Sequence, residues 1–136
     1  PGDVGVQQGW HRPEFDDTGW RKIPVPAWWE TTAVGAYDGY AWYRVRFTVP
    51  EEMKGRELTL EFAGVDEGAW VYLNGELIGE RSAQSTGLAP IDFWDKPFSM
   101  PANSVRLGRE NVLAVRVYDS DKMGGIFRPV RLLAGL

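Results

Sequence analysis

"AWVYLNGELIGE", residues 69–80, decides the fold. Asn74 and Gly75 stand between two apolar runs. Both residue types tolerate the positive φ that a two-residue hairpin turn demands, so the stretch predicts two antiparallel strands joined by a tight turn. Val71, Leu73, Leu77 and Ile78 are its expected apolar set, with Val71 and Leu73 facing in. Successive side chains of a strand point to opposite faces, so Trp70 and Tyr72 then stand on the other face.

The same period of two recurs on either side of the hairpin. In "WYRVRFTVP" (42–50), Tyr43, Val45, Phe47 and Val49 share one face, and Pro50 ends the run. "LTLEFAGV" (58–65) places Leu58, Leu60 and Phe62 inward. "NVLAVRVYD" (111–119) alternates toward an inward Val115 and Val117. "FRPVRLLAG" (127–135) is the closing strand, with Pro129 suited to a sheet edge or strand end. Residues 99–110 read as a loop. The first 40 residues read as loops and short edge strands, where the turn "FDDTGW" (15–20) lets Phe15, Trp20 and Ile23 plug one end of the molecule. No helical period persists beyond one or two turns. Many short strands without helices between them predict an all-β fold. The expected architecture is one antiparallel β-sandwich of jelly-roll type over residues 1–136.

Composition narrows the function classes. The chain has 136 residues, enough for one self-sufficient core. Its net charge is −4 and its basic residues are scattered. Nucleic acid and anionic membrane are therefore not expected partners, because binding phosphate needs a concentrated positive field. There is no Cys and a single His, His11, which leaves no disulfide framework, no thiolate nucleophile and no His-rich zinc site. No apolar run approaches the ~18 residues of a spanning helix. No leader is visible, and the chain reads as a domain cut from a longer protein. Its compartment is left open; a polysaccharide-binding role would favour a secreted or periplasmic one.

The strand segments carry a resemblance. "FDDTGWRKIPVPAWWE", "AWYRVRFTVPEEMKGRELTLEFAGVDEGAWVYLNGELIG" and "NVLAVRVYDSDKMGGIFRPVRL" follow the order of a known family and cover nearly the whole chain. The sequence resembles the sugar-binding, galactose-binding-domain-like jelly roll of glycoside hydrolase family two enzymes, such as β-galactosidases and β-glucuronidases. The resemblance implies a non-catalytic carbohydrate-binding or accessory module of a larger carbohydrate-active enzyme. Carbohydrate and the parent's catalytic domain are then its expected partners. The family's nucleophile and acid carboxylates lie on a separate barrel domain that this chain lacks. The alternative is a purely structural domain that packs on the catalytic domain and has no ligand of its own.

Aromatic residues make up 13% of the chain, with six rings between residues 27 and 44. The family pattern assigns Trp20, Trp29 and Tyr43 to the core. Trp28, Tyr37, Tyr40, Trp70 and Trp94 are rings the pattern does not require. Trp70, outward by alternation, is either a stacking platform for a sugar face or a ring packed under a loop or against a neighbouring domain. Trp94 sits beside Asp92 in "APIDFWDKP"; ring plus carboxylate suits a sugar, since a carboxylate accepts from vicinal hydroxyls. The expected carbohydrate-contacting set is Tyr37, Asp38, Tyr40, Asp66, Glu67, Trp70, Asp92 and Trp94. By family inference the loops bearing most of these converge on one rim. Arg128 is expected as a structural arginine paired with Asp66 or Asp119. No cofactor is expected apart from a structural calcium, with Asp119 and Asp121 of "YDSDKMGG" as the metal candidates. Nineteen acidic residues make some carboxylate pair inevitable, and no G-x-S-x-G element is present, so the sequence offers no catalytic motif.

Overall fold

A computed structural model describes residues 3–32 and 34–135. Seven strands form it: β1 (Gly39–Thr48), β2 (Leu58–Phe62), β3 (Gly68–Leu73), β4 (Glu76–Arg81), β5 (Phe98–Pro101), β6 (Glu110–Asp119) and β7 (Val130–Ala134). One helical turn, α1 (Ala83–Thr86), follows β4. The strands make a four-stranded sheet, β1-β6-β3-β4, and a three-stranded sheet, β5-β2-β7. Every pairing is antiparallel. The chain is thus the all-β antiparallel sandwich its alternation predicts. No helix among the described residues is long and apolar enough to cross a membrane.

The inner faces supply the core. Leu58, Leu60 and Phe62 of β2 face Val71 and Leu73 of β3 and Leu113, Val115 and Val117 of β6, all buried. The β3–β4 turn is built as expected, with Asn74 and Gly75 both at positive φ. Asn74 also fixes the turn to β6: it accepts from Val112 N at 2.9 Å and donates to Asn111 Oδ1 at 2.9 Å.

Four expectations are corrected. Leu77 is 47% exposed, because a bulge after Val71 puts Leu77 opposite outward-facing Tyr72 and turns Ile78 toward the core. Val45 is 53% exposed: β1 is the edge of the wider sheet, and its inner face overhangs an open apolar groove rather than the opposing sheet. Residues 98–101 are a strand rather than a loop, with Met100 buried and Pro101 at the strand end of a sheet edge. The described residues before β1 contain no strand.

That first segment is clamped to the outer face of β1 instead. Arg44, with a side chain 1% exposed, bonds Asp17 Oδ2 at 2.8 Å and the carbonyls of Trp10, Arg12 and Phe15. Trp20 packs edge to face on Trp10 and tilted on Phe15, and Trp10 in turn meets Trp42 of β1. These rings therefore cover one face of a sheet; they do not plug the end of the sandwich.

Candidate functional site

Two sites arise from the two faces of the wider sheet. On its outer face, strand register sets Trp70 opposite Arg116 and Tyr40 opposite Tyr118. The Arg116 guanidinium lies 4.1 Å from the Trp70 ring centre and 4.7 Å from that of Tyr40. Tyr40 in turn meets Tyr118 at 4.7 Å. Gly68 makes room for the Trp70 ring, since a Cβ there would come within 2.9 Å of it. Glu80 and Gln84, from β4 and α1, form the opposite wall of a cleft of about 470 Å³. That volume is in the range of small-ligand sites. The cleft offers aromatic edges, a carboxylate, an amide and a guanidinium, the group types that hold a hydroxyl-rich ring. Trp70 is thus outward as alternation predicts, and one of its faces is occupied by Arg116.

On the inner face, β6 reads Leu113, Val115, Val117 and then Asp119, so a carboxylate takes the next core-facing position at the end of the sandwich. Asp119 is 1% exposed. Neither of its oxygens meets a donor among the described residues. Glu30 and Asp38 form one carboxylate triad with it, and Asp66 and Glu67 form another. Burial first, then the charges of Glu67 and Glu30, push the Asp66 carboxyl up to about 7. Burial, together with Glu67 and Asp66, pushes Asp119 far above the usual carboxylate range. Two of the neighbours are oriented from behind. Glu30 accepts from Trp29 Nε1 at 2.7 Å and from Gly124 N at 2.9 Å. Glu67 accepts from the Ser120 hydroxyl at 2.8 Å and from Ser120 N.

The expected site residues therefore divide. Tyr40, Trp70 and Glu67 line the outer cleft. Asp38, Asp66 and Glu67 surround Asp119. Tyr37 packs on Trp29 and donates to the Tyr40 carbonyl. Trp94 lies in a separate ring cluster with Trp28 and Phe127, the last two stacked at 4.0 Å, and Asp92 is exposed on a short 3-10 turn. Asp121 is exposed and stands outside both carboxylate triads. Arg128 is exposed and donates to the Asp95 carbonyl, not to Asp66 or Asp119. The deeply placed arginine is Arg81, which bonds the carbonyls of Val65, Glu67, Phe93 and Lys96 and so fixes the loop that carries Asp66 and Glu67. Sequence reasoning missed Arg81, Arg116 and Glu30. Alternation from Trp70 and Tyr72 to their β6 partners would have found Arg116; nothing local marks Glu30 or Arg81.

The fold and both sites can now be set beside known proteins. The beta-galactosidase second all-beta domain matches residues 6–123. This chain belongs to that family. The beta-galactosidase BoGH2A of Bacteroides ovatus is 31% identical over 144 residues, covering 89% of this chain and 15% of its own length. The beta-glucuronidase of Formosa agariphila is 35% identical over 79 residues, 58% of this chain and 7% of its own. Among solved structures, a Ruminococcus gnavus beta-glucuronidase aligns with a TM-score of 0.81 over 99% of this chain and 26% of its own, at 18% identity, which is a likeness of fold. The chain spans a small part of the length of these relatives. It is an accessory all-β domain of the kind found in family 2 glycoside hydrolases.

Proposed function

We propose that this domain contributes carbohydrate contact to a larger glycoside hydrolase, and that the Tyr40–Trp70–Arg116 cleft is where the sugar sits. The observation that carries the reading is the cleft's make-up: aromatic surface from three strands meets Glu80, Gln84 and Arg116 within one concave volume. Ring edges and the free Trp70 surface meet the apolar C–H face of a sugar, and the polar groups take its hydroxyls. Catalysis then belongs to other domains of the parent, and this domain raises the local concentration of substrate near them. The names of the relatives select the panel to test, namely β-galactosides and β-glucuronides as oligosaccharides and polymers.

The test is tryptophan fluorescence of the 136-residue chain titrated with that panel, for the wild type, Trp70→Ala and Trp94→Ala. Saturable change in the wild type and in Trp94→Ala, lost in Trp70→Ala, supports the cleft. No response to any glycan overturns it, as does a response that survives Trp70→Ala and is lost in Trp94→Ala.

A second reading has its own observation. The groove between β1 and β7 holds about 1090 Å³ and is lined by Tyr43, Val45, Phe47, Val130 and Leu132. An apolar surface of that extent suits packing against the parent's catalytic domain. The two roles use different faces and are compatible.

A further inference from the structure

We infer that the carboxylates around Asp119 form a calcium site that ties the end of the sandwich together. Asp119, Asp66 and Glu67 offer one oxygen each, all within 4.8 Å of one another, and Asp119, Glu30 and Asp38 do the same. The shared residue is the decisive one. Asp119 is 1% exposed, stands in an otherwise apolar core-facing row, and neither carboxylate oxygen has a hydrogen-bond donor. A buried carboxylate without a partner is among the most costly arrangements in a folded protein, so something must balance it. No ion pair among the described residues does. Among the described residues the ion pairs lie elsewhere, on Asp17, Glu110, Asp3 and Glu61.

A Cβ at Gly124 would lie 2.7 Å from Asp119 Oδ2 and closer still to the Trp29 ring, so only glycine fits against that oxygen on this side. Trp29 Nε1, Gly124 N and Ser120 hold Glu30 and Glu67 from behind, which leaves the remaining lone pairs of these carboxylates for a ligand. The donor set is all oxygen, with no His or Cys, which selects a hard cation over zinc or copper. Calcium binds oxygens at about 2.3–2.6 Å, so ligands on opposite sides of one ion are about 4.6–5.2 Å apart. Magnesium demands near-ideal octahedral geometry and keeps several of its waters, so a cluster of protein carboxylates suits calcium better. Each triad joins Asp119, at the end of β6, to a remote stretch, the segment before β1 for one and the β2–β3 loop for the other, so a bound ion cross-links segments far apart in sequence. Glu67 also lines the outer cleft, so the ion would stiffen one wall of it. The calcium site does not depend on the cleft binding sugar.

The test has two readouts that need no enzymatic activity. Metal-free chain, prepared with EDTA and exchanged into clean buffer, is titrated with calcium while its Tm is followed. Separately, terbium is added and its luminescence is excited through tryptophan, with Trp29 beside the site as the sensitiser. The expected result is a calcium-dependent rise in Tm of about 5–10 °C at a hundredfold excess over Kd, together with terbium emission that calcium displaces. Asp119→Asn keeps the shape of the side chain and is expected to fold while losing both responses. Asp66→Asn, at a side chain less buried than Asp119, is the second variant and is expected to weaken calcium binding by about tenfold or more. A wild-type Tm that ignores millimolar calcium, with no terbium emission, overturns the inference; Asp119 is then balanced by a proton shared with Glu67. Calcium responses that persist unchanged in Asp119→Asn or in Asp66→Asn also overturn it.

Discussion

Replacing Arg44 with methionine should release the first segment of the chain from the sheet. The guanidinium is 1% exposed and makes four bonds: to Asp17 Oδ2 at 2.8 Å, to the carbonyls of Trp10 and Arg12 at 2.7 and 2.8 Å, and to the Phe15 carbonyl at 3.3 Å. Methionine fills much of the volume and removes every donor. Asp17 keeps a second partner in Arg46 at 2.9 Å, but that arginine is 39% exposed and screened by solvent. Breaking one side of a buried, hydrogen-bonded pair costs about 3–5 kcal/mol. That is a large share of the roughly 5–15 kcal/mol that holds a domain folded. At about 3–4 °C per kcal/mol for a chain of this size, Tm should fall by about 10–20 °C. Urea unfolding followed by tryptophan emission is a suitable assay, because Trp10, Trp20 and Trp42 all lie beside this clamp. Asp17→Asn, made alone and with Arg44→Met, closes a double-mutant cycle with an expected coupling above about 1 kcal/mol. A loss below about 0.5 kcal/mol for Arg44→Met, or a coupling near zero, would refute the clamp.

Other outcomes follow from the same structure. Burial alone would raise the Asp17 carboxyl, yet the bonds from Arg44 and Arg46 overrule it and hold it below its usual value. Its contribution is therefore present above about pH 4 and lost as pH falls through the lower folded value. The stability gap between wild type and Asp17→Asn should close in acid, as measured by urea midpoints at pH 7 and pH 3. Phe62→Ala, at a fully buried ring stacked on Phe98 at 5.1 Å, should cost about 3–5 kcal/mol. Leu77→Lys should change stability by less than about 0.5 kcal/mol, since that side chain is half exposed. Gly124→Ala should destabilise by about 1–3 kcal/mol, because its Cβ meets both the Trp29 ring and Asp119.

The sheets were legible where a strand is buried on one face and long enough to show its period. β1, β2, the β3–β4 hairpin and β6 all read correctly for that reason. β5 did not, because four residues ending in proline carry no visible alternation. Alternation also cannot register a bulge, so the one after Val71 put Leu77 in solvent while Ile78 kept its expected apolar packing. Nor does it show whether an opposing sheet reaches far enough to cover an edge strand, which is how Val45 was misplaced. For the candidate sites, the outward face of Trp70 was legible because it follows from its neighbours in one strand. Its partner Arg116 lies 46 positions away, and only the β3–β6 register joins them. Asp119 was singled out for its D-x-D spacing with Asp121. The structure instead pairs it with Glu30, Asp38, Asp66 and Glu67, contacts set by tertiary packing.

The central claim is that sugar meets this domain at the Tyr40–Trp70 cleft. The most direct measurement is a two-dimensional ¹H–¹⁵N spectrum of the labelled chain, in which each tryptophan indole N–H gives its own signal, recorded during titration with a β-galactoside and a β-glucuronide oligosaccharide. The account predicts that the Trp70 signal moves with saturation, together with the backbone signals of Tyr40, Glu80 and Arg116, while the Trp28 and Trp94 indoles stay in place. Shifts confined to Trp28 and Trp94, or no shift with any glycan at millimolar concentration, would contradict it.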